Sequence, residues 1–321
     1  MDIIRGILKR SRLWWLISLI LLALLATFPL YGSAYNVILI TAIIMYVVLA
    51  VSWALFSGPT GYISLATAAF FGVGIYTMAV LGGELPLLAA VAAGGLVSFI
   101  IALIVGAITL RLRGIYFTIF TFGLVELLKH LLLYWEVTVT GTRGRFIVLI
   151  ENTTIFWVML GIFVVLMLTS YFIRRSKYGL ALRSIGENEE AAAHLGVNVN
   201  LMKVFAFAVS AFFMGAAGAI IATRWTYIDP YVAFNVFNSF LPVLMAIFGG
   251  MSQLYGPVIG AVIFAYLEEQ LLTRFPEYFM LTFGLILVLF IVYLPNGLAG
   301  LVSRLVRRRR KGGPVEQNAN T

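Results

Sequence analysis

Six stretches of this chain contain no Asp, Glu, Lys or Arg: residues 13–83, 85–110, 152–173, 204–223, 230–267 and 278–303. An apolar run of about 20 residues crosses the roughly 30 Å hydrocarbon core of a bilayer as a helix, and several of these runs are longer. Backbone in hydrocarbon finds no water to bond, so only helices or a closed barrel can span it. Barrel strands alternate apolar and polar residues over about ten positions, whereas these runs are apolar throughout. Composition agrees. The 321 residues are 62% hydrophobic and 11% charged, with a mean hydropathy of +1.03, against about 25% charged in soluble domains.

The pattern predicts an all-α polytopic membrane protein with about ten crossings, near 13–31, 35–56, 62–82, 85–110, 115–135, 154–173, 204–224, 234–250, 254–273 and 278–302. They form one transmembrane domain, 13–302, between a basic N-terminal segment, 1–12, and a basic tail, 303–321. Stretches 62–82 and 234–250 are dense in Gly, Ser and Thr and are candidates for broken or re-entrant helices. Such breaks persist only where the backbone is buried in protein or lines a cavity. Segment 13–28 follows basic residues as a signal peptide would, but lacks a small-residue cleavage site and reads as a retained first span. Asn36-Val37 and Asn235-Val236 each open an apolar run that ends at a glycine break, Gly58-Pro59-Thr60-Gly61 and Gly249-Gly250. Paired interruptions of this kind mark transport pathways at repeat interfaces, and coincidence explains this faint pair equally well.

Net charge is +9. Placing the N-terminus, Arg111 and Arg113, the polar island 174–203 and the tail on one side gathers 17 of the 22 Lys and Arg there. The positive-inside rule makes that side cytoplasmic, with both termini on it. The run Arg307–Lys311 then reads as an anchor at anionic membrane lipid, with no nucleic acid as partner. Segment 136–151 becomes an external loop. Absence of cysteine excludes structural disulfides and thiol catalysis.

The island 174–203 is the longest polar segment between two spans. Ser184 followed by Glu187 fits a capping box, which predicts a helix with Glu187, Glu189 and Glu190 in its first turn, where the dipole favours negative charge. Ala191, Ala192, Ala193 and Leu195 give it a small apolar surface, and Gly196 is a plausible C-terminal stop. Interfacial membrane helices normally pair bulky apolar residues with Lys and Arg. An acidic, alanine-rich helix suits a protein groove better.

Several blocks resemble one family. Glu190-Ala191-Ala192, three residues and Gly196 have the form of the EAA-x-x-x-G loop of ABC importer permeases. Residues 58–76 (GPTGYISLATAAFFGVGIY), Leu112-Arg113-Gly114-Ile115-Tyr116-Phe117 continuing to Glu126, 175–183 (RSKYGLALR) and Leu294-Pro295-Asn296-Gly297-Leu298 resemble blocks of permeases from branched-chain amino-acid ABC transporters, in order over about 35–300. The resemblance implies a prokaryotic inner-membrane permease subunit of an ATP-driven importer. It would work with a second homologous permease, two cytoplasmic ABC ATPases that use the ATP, and an external substrate-binding protein. It would bind no cofactor itself. Arg183, Glu187, Glu190, Ala191, Ala192 and Gly196 would then belong to the ATPase-coupling helix, and Gly61, Ser64, Gly72 and Glu126 to the translocation path. The chain departs from the pattern at Tyr62, where the family usually carries Gln, and at Ala66-Thr67, where it carries Gly-His. Those departures bear on the substrate, which sequence leaves open.

Glu126 shares a helix face with Lys129 and His130, either as part of the pathway or as an interfacial ion pair. Glu268, Glu269, Arg274 and Glu277 read as a solvated external rim or docking surface for a binding protein, as do Arg224 and Asp229. His194 has no neighbouring ligands that would make it a metal site. No P-loop, metal-spaced cluster or nucleophile with a base is present, so an energy source comes from partners or from an ion gradient. The alternatives are a self-sufficient secondary transporter with Glu126 or Glu268 at the ion site, and a membrane enzyme, for which no catalytic constellation is found.

Overall fold

The structure, a computed structural model, describes residues 22–251 and 253–278 together with 282, 284 and 285. The predicted span at 278–302 lies largely outside the described residues, as do residues 13–21 of the one at 13–31. Long helices dominate: α1 (Ala34–Thr60), α2 (Thr67–Leu81), α3 (Leu87–Thr109), α4 (Ile115–Trp135), α5 (Asn152–Arg175), α6 (Lys177–Glu187), α7 (Glu189–His194), α8 (Val199–Ala222), α9 (Pro230–Ala233), α10 (Phe237–Gly249) and α11 (Gly256–Arg274). Six segments are long and apolar enough to cross a bilayer, so the expected ten are not reached among the described residues. The all-α, membrane-spanning class holds. α11 is helical as expected, but Glu268, Glu269 and Arg274 lower its apolar character.

Helix α8 lies at the centre, packed by α2 and α3. Its sequence allows this because Gly215-Ala216-Ala217-Gly218 presents almost no side-chain bulk, so neighbouring backbones come close. A Cβ added at Gly74 of α2 would run into the Gly215 carbonyl, and one at Gly218 into the Phe71 carbonyl. Around this seam Phe56, Phe70, Phe117 and Phe207 interlock, with ring centroids 5.1–6.1 Å apart.

Both stretches expected to be broken are broken. Helix α1 carries Pro59 in its last turn and stops at Gly61, whose φ of +73° is left-handed and open to glycine at little cost. Residues 61–66 are non-helical and double back beside α1, so that the Trp53 indole, seven residues before the helix end, donates to the Ser64 carbonyl at 2.7 Å. Seven helical residues rise about 10 Å, which places the start of α2 well inside the bundle. With only 15 residues, α2 is about 22 Å long as a helix, short of the roughly 30 Å of a bilayer core. The second break separates α9 from α10, and Phe234 within it fills the space beside Gly72.

The unwound backbone and the first turn of α2 are satisfied by hydroxyl side chains from two other helices. Thr121 Oγ1 of α4 accepts from the Leu65 N–H at 3.0 Å, and Ser239 Oγ of α10 accepts from the Ala68 N–H at 3.1 Å. Thr118 Oγ1 donates to the Ile63 carbonyl at 2.9 Å. Thr121 and Ser239 are fully buried, so water cannot replace them. We expect Thr121→Val, which keeps shape and deletes the acceptor, to cost about 1–3 kcal/mol and lower the thermal unfolding midpoint in detergent. Thr41→Val, where the hydroxyl only donates back to its own helix at Val37 O, should be nearly neutral.

Candidate functional site

The polar island folds as two helices, not one. Ser184 lies inside α6, its hydroxyl turned back to the Ala181 carbonyl, so it caps nothing and the expected capping box is overturned. The cap is Asn188, whose Oδ1 accepts from both the Glu190 and Ala191 N–H groups at 3.0 Å. Asparagine in an extended conformation bonds the first free amides directly, and α6 can therefore run on to Glu187. Glu189 and Glu190 do fall in the first turn of α7. Gly196 ends it as expected. Its φ is +85°, the Val197 N–H reaches the Ala192 carbonyl and the Gly196 N–H the Ala193 carbonyl, which is the paired closure of a Schellman motif.

Helix α7 is anchored to the bundle by a buried charge cluster. Lys203, in the first turns of α8, is 1% exposed, and its Nζ donates to Glu189 Oε1 at 2.8 Å, to the Leu110 carbonyl at 3.0 Å and to Tyr62 Oη at 3.2 Å. The Tyr62 hydroxyl donates in turn to Glu189 Oε2 at 2.6 Å, and the ammonium sits 4.6 Å from the Tyr62 ring centroid. All three Lys donors are thereby used, as burying a charge demands. Burial raises the Glu189 pKa, but the hydrogen bonds from Lys203 and Tyr62 outweigh it and hold the carboxyl below the usual range. Tyr62 is the first residue after Gly61, so this cluster joins α7, the start of the unwound segment, the end of α3 and the start of α8. A second tie, Arg113 to Glu190 at 3.4 Å, is exposed on both sides and contributes at most about 1 kcal/mol.

The sequence-predicted residues separate by face. Glu190 and Ala191 are exposed, while Ala192 is buried with Ile185 and Val199 beneath the helix. Ala192 therefore seats α7 on this chain and cannot touch a partner. Arg183 and Glu187 lie exposed on α6 and line a cavity of about 410 Å³ whose opposite wall includes Gly58, Pro59 and Gly61. Ser64 is part of the unwound segment, its carbonyl held by Trp53 and its hydroxyl accepting from the Ala66 N–H at 3.3 Å. Gly72 packs against Phe234. Glu126 stands apart from all of these on α4, 2.6 Å from Lys129 and 3.7 Å from His130. It is an ion pair along one helix face.

At the other end of the bundle, α4 passes through a π-helical turn, Glu136–Thr140, into a two-stranded ribbon, β1 (Arg145–Phe146) with β2 (Tyr227–Ile228). Glu136 is fully buried, accepts from the Gly144 N–H at 2.9 Å and faces Arg145 at 3.7 Å. Asp229 caps α9 and pairs with Arg143 at 3.6 Å. The expected solvated rim at Glu268 is corrected. Its carboxylate is half-buried against Tyr46, and Oε2 has no hydrogen-bond partner among the described residues. Helix α11 packs along α1, which turns Glu268 inward; Glu269 accepts from Tyr35 at 2.9 Å.

Sequence reading missed Lys203 and the roles of Glu189 and Tyr62. The available signals were a lysine directly before a charge-free run and Tyr62 standing where the family pattern has glutamine.

A bundle of membrane-length helices with a short buried helix after a break, and a polar helix pair at one end, is the architecture of a polytopic membrane protein. The family whose sequence model matches residues 35–291 is the permease component of branched-chain amino acid transport systems, and the chain belongs to it. It is 27% identical over 314 residues to the high-affinity branched-chain amino acid transport system permease protein LivM of Salmonella typhimurium (strain LT2), covering 87% of this chain and 73% of that one. To LivM of Escherichia coli (strain K12) it is 26% identical over 333 residues, 92% and 77% of the two chains. LivH of the same strain matches at 27% over 142 residues, 43% of this chain and 44% of that one. No solved structure gives a significant match.

Two outcomes test the charge cluster. Glu189→Gln leaves a buried ammonium short of its counter-charge and should destabilise by about 3–5 kcal/mol. Lys203→Met orphans only Glu189, 21% exposed and able to hydrate, and should cost less by unfolding in detergent. Because the folded-state pKa of Glu189 is depressed, its contribution is fully present above the unfolded value near 4.5 and is lost as pH falls through the folded one. The stability loss of wild type on acidification below about pH 4.5 should therefore be shallower in Glu189→Gln.

Proposed function

We propose that this chain is one membrane subunit of an ATP-driven importer for branched-chain or related amino acids. A second, homologous permease completes the pathway, two ABC ATPases on the cytoplasmic side supply the energy, and an external binding protein delivers substrate. Similarity to two different permeases of one organism, LivM over most of the chain and LivH over part of it, supports a heterologous pair. In this reading the α6–α7 side is cytoplasmic, with both termini, as the distribution of Lys and Arg favours.

The observation that carries the mechanism is the Tyr62–Glu189–Lys203 cluster. Glu190, Ala191 and the neighbouring exposed Leu195, 81% exposed, form the outward face offered to an ATPase groove. Ala192 and Glu189 form the inward face that grips the bundle. A push on α7 is thus delivered through a buried ion pair to Tyr62 and the unwound segment before α2. That segment has two possible partners for its amides, helix or hydroxyls, which suits a piece that moves. Glu126 has its own cation in Lys129, which disfavours it as the ion site of a self-sufficient carrier.

The test is reconstitution of this chain with the second permease and ATPases encoded beside it, measuring ATP hydrolysis and uptake of labelled leucine, isoleucine and valine into vesicles. ATP-dependent uptake that requires the binding protein is expected, and Gly196→Asp should reduce uptake at least tenfold by straining the left-handed turn that ends α7. Accumulation by this chain alone on an ion gradient would overturn the reading.

A further inference from the structure

The 410 Å³ cavity beneath α6 has features that the coupling role does not use. Two guanidinium groups line it, Arg174 from the last turn of α5, which also donates to the Met251 carbonyl at 3.4 Å, and Arg183 from α6. Arg183 has no ion-pair partner among the described residues. Ser170, one helical turn before Arg174 on the same face of α5, also lines the cavity; it is 2% exposed and its Oγ has no hydrogen-bond partner among the described residues. A single carboxylate, Glu187, shares the lining. A buried hydroxyl without a partner is costly, and two guanidinium groups against one carboxylate leave the lining net positive, which favours an anionic occupant. The space far exceeds the 10–15 Å³ or so that one water needs.

We infer that this cavity is a binding site for a phosphate-type oxyanion, clamped by Arg174 and Arg183 with Ser170 as a further donor. Guanidinium forks match phosphate oxygens in pairs, and three donors suit a group with three or more acceptor oxygens. Arg174 ends a membrane-spanning helix, so the site lies at headgroup depth, where basic pockets between spans take anionic lipid; a free phosphate offers the same chemistry. An occupant would bridge α5 to α6 across the wall formed by Pro59 and Gly61. It would brace the helix pair against the end of α1 from the side opposite the Lys203 cluster. The site requires no ATPase or transport activity, so it is tested on this chain alone, separately from the importer reading.

The full-length chain is reconstituted in nanodiscs of phosphatidylcholine with and without phosphatidylglycerol, and lipid retention after delipidation is read by native mass spectrometry. In parallel its thermal midpoint in detergent is followed against inorganic phosphate. Wild type is compared with Arg183→Gln, Ser170→Ala and, as a control for nonspecific basic attraction, Arg175→Gln, which lies outside the cavity. Selective retention of phosphatidylglycerol, weakened about tenfold or more by Arg183→Gln and Ser170→Ala but not by Arg175→Gln, supports the site and names lipid as its source. A midpoint raised by phosphate with the same variant pattern, without lipid selectivity, supports it with a soluble anion. No preference in wild type, or equal effects in all three variants, overturns it. Ser170→Ala removes one hydroxyl and leaves the packing in place, so the comparison survives even if Arg183→Gln folds poorly.

Discussion

Where a chain leaves helical conformation inside a bilayer, each freed amide and carbonyl must find a partner within the protein, and residues 61–66 are where this molecule meets that demand. The hydroxyls of Thr118 and Thr121 and the indole of Trp53 are placed to meet it, and Ser239 serves a free amide in the first turn of α2. Those four side chains come from α4, α10 and α1, so the break cannot exist before those helices have docked. The short α2, its burial against α8 and the glycine contacts at Gly74 and Gly218 follow from the same requirement. The backbone must come close to its neighbours because water is not there to serve it.

At the end of the break, electrostatics take over from packing. Lys203 is a strongly hydrated ion carried into a site where it is almost wholly covered, and it is tolerated because Glu189, Tyr62 and the Leu110 carbonyl replace its water. The arrangement fixes α7 to the unwound segment that precedes α2. Two kinds of contact meet in one short helix: an ion pair with a buried ammonium and a mostly covered carboxylate on its inner side, and exposed side chains on its outer side. A rigid link of this kind moves as a unit, which a screened surface pair such as Arg113–Glu190 could not ensure. The cavity on the far side of the same wall, with its two arginines, lies beneath the other half of the helix pair.

Which parts were legible in the sequence follows from the range of the forces involved. Spans are written in runs of residues, so α3, α5 and α8 stand where the charge-free segments end. Breaks near 62 and 236 were signalled by Gly, Ser and Thr density. The turn at Gly196 was readable because a left-handed residue is a local property. Ser184 was misread because its box pattern is local, whereas the cap depends on how far α6 runs; with α6 continuing to Glu187, close against Pro59 at Gly186, Asn188 is left to cap α7. Glu268 looked like a rim residue because its neighbours in sequence are charged, and only the packing of α11 along α1 turns it toward Tyr46.

Alone, the sequence determined the solvent: with 62% hydrophobic residues and six charge-free runs, no arrangement but membrane-spanning helices satisfies the backbone, and its ordered motifs carried the family. Tertiary structure decided which polar groups matter. Lys203, Glu189 and Tyr62 are separated by up to 141 positions, and nothing in local propensity links them; they meet because α2, α7 and α8 pack at one end of the bundle. Hydropathy is summed along the chain, whereas a buried ion pair is a coincidence in space, and only folding brings its members within 3 Å or so.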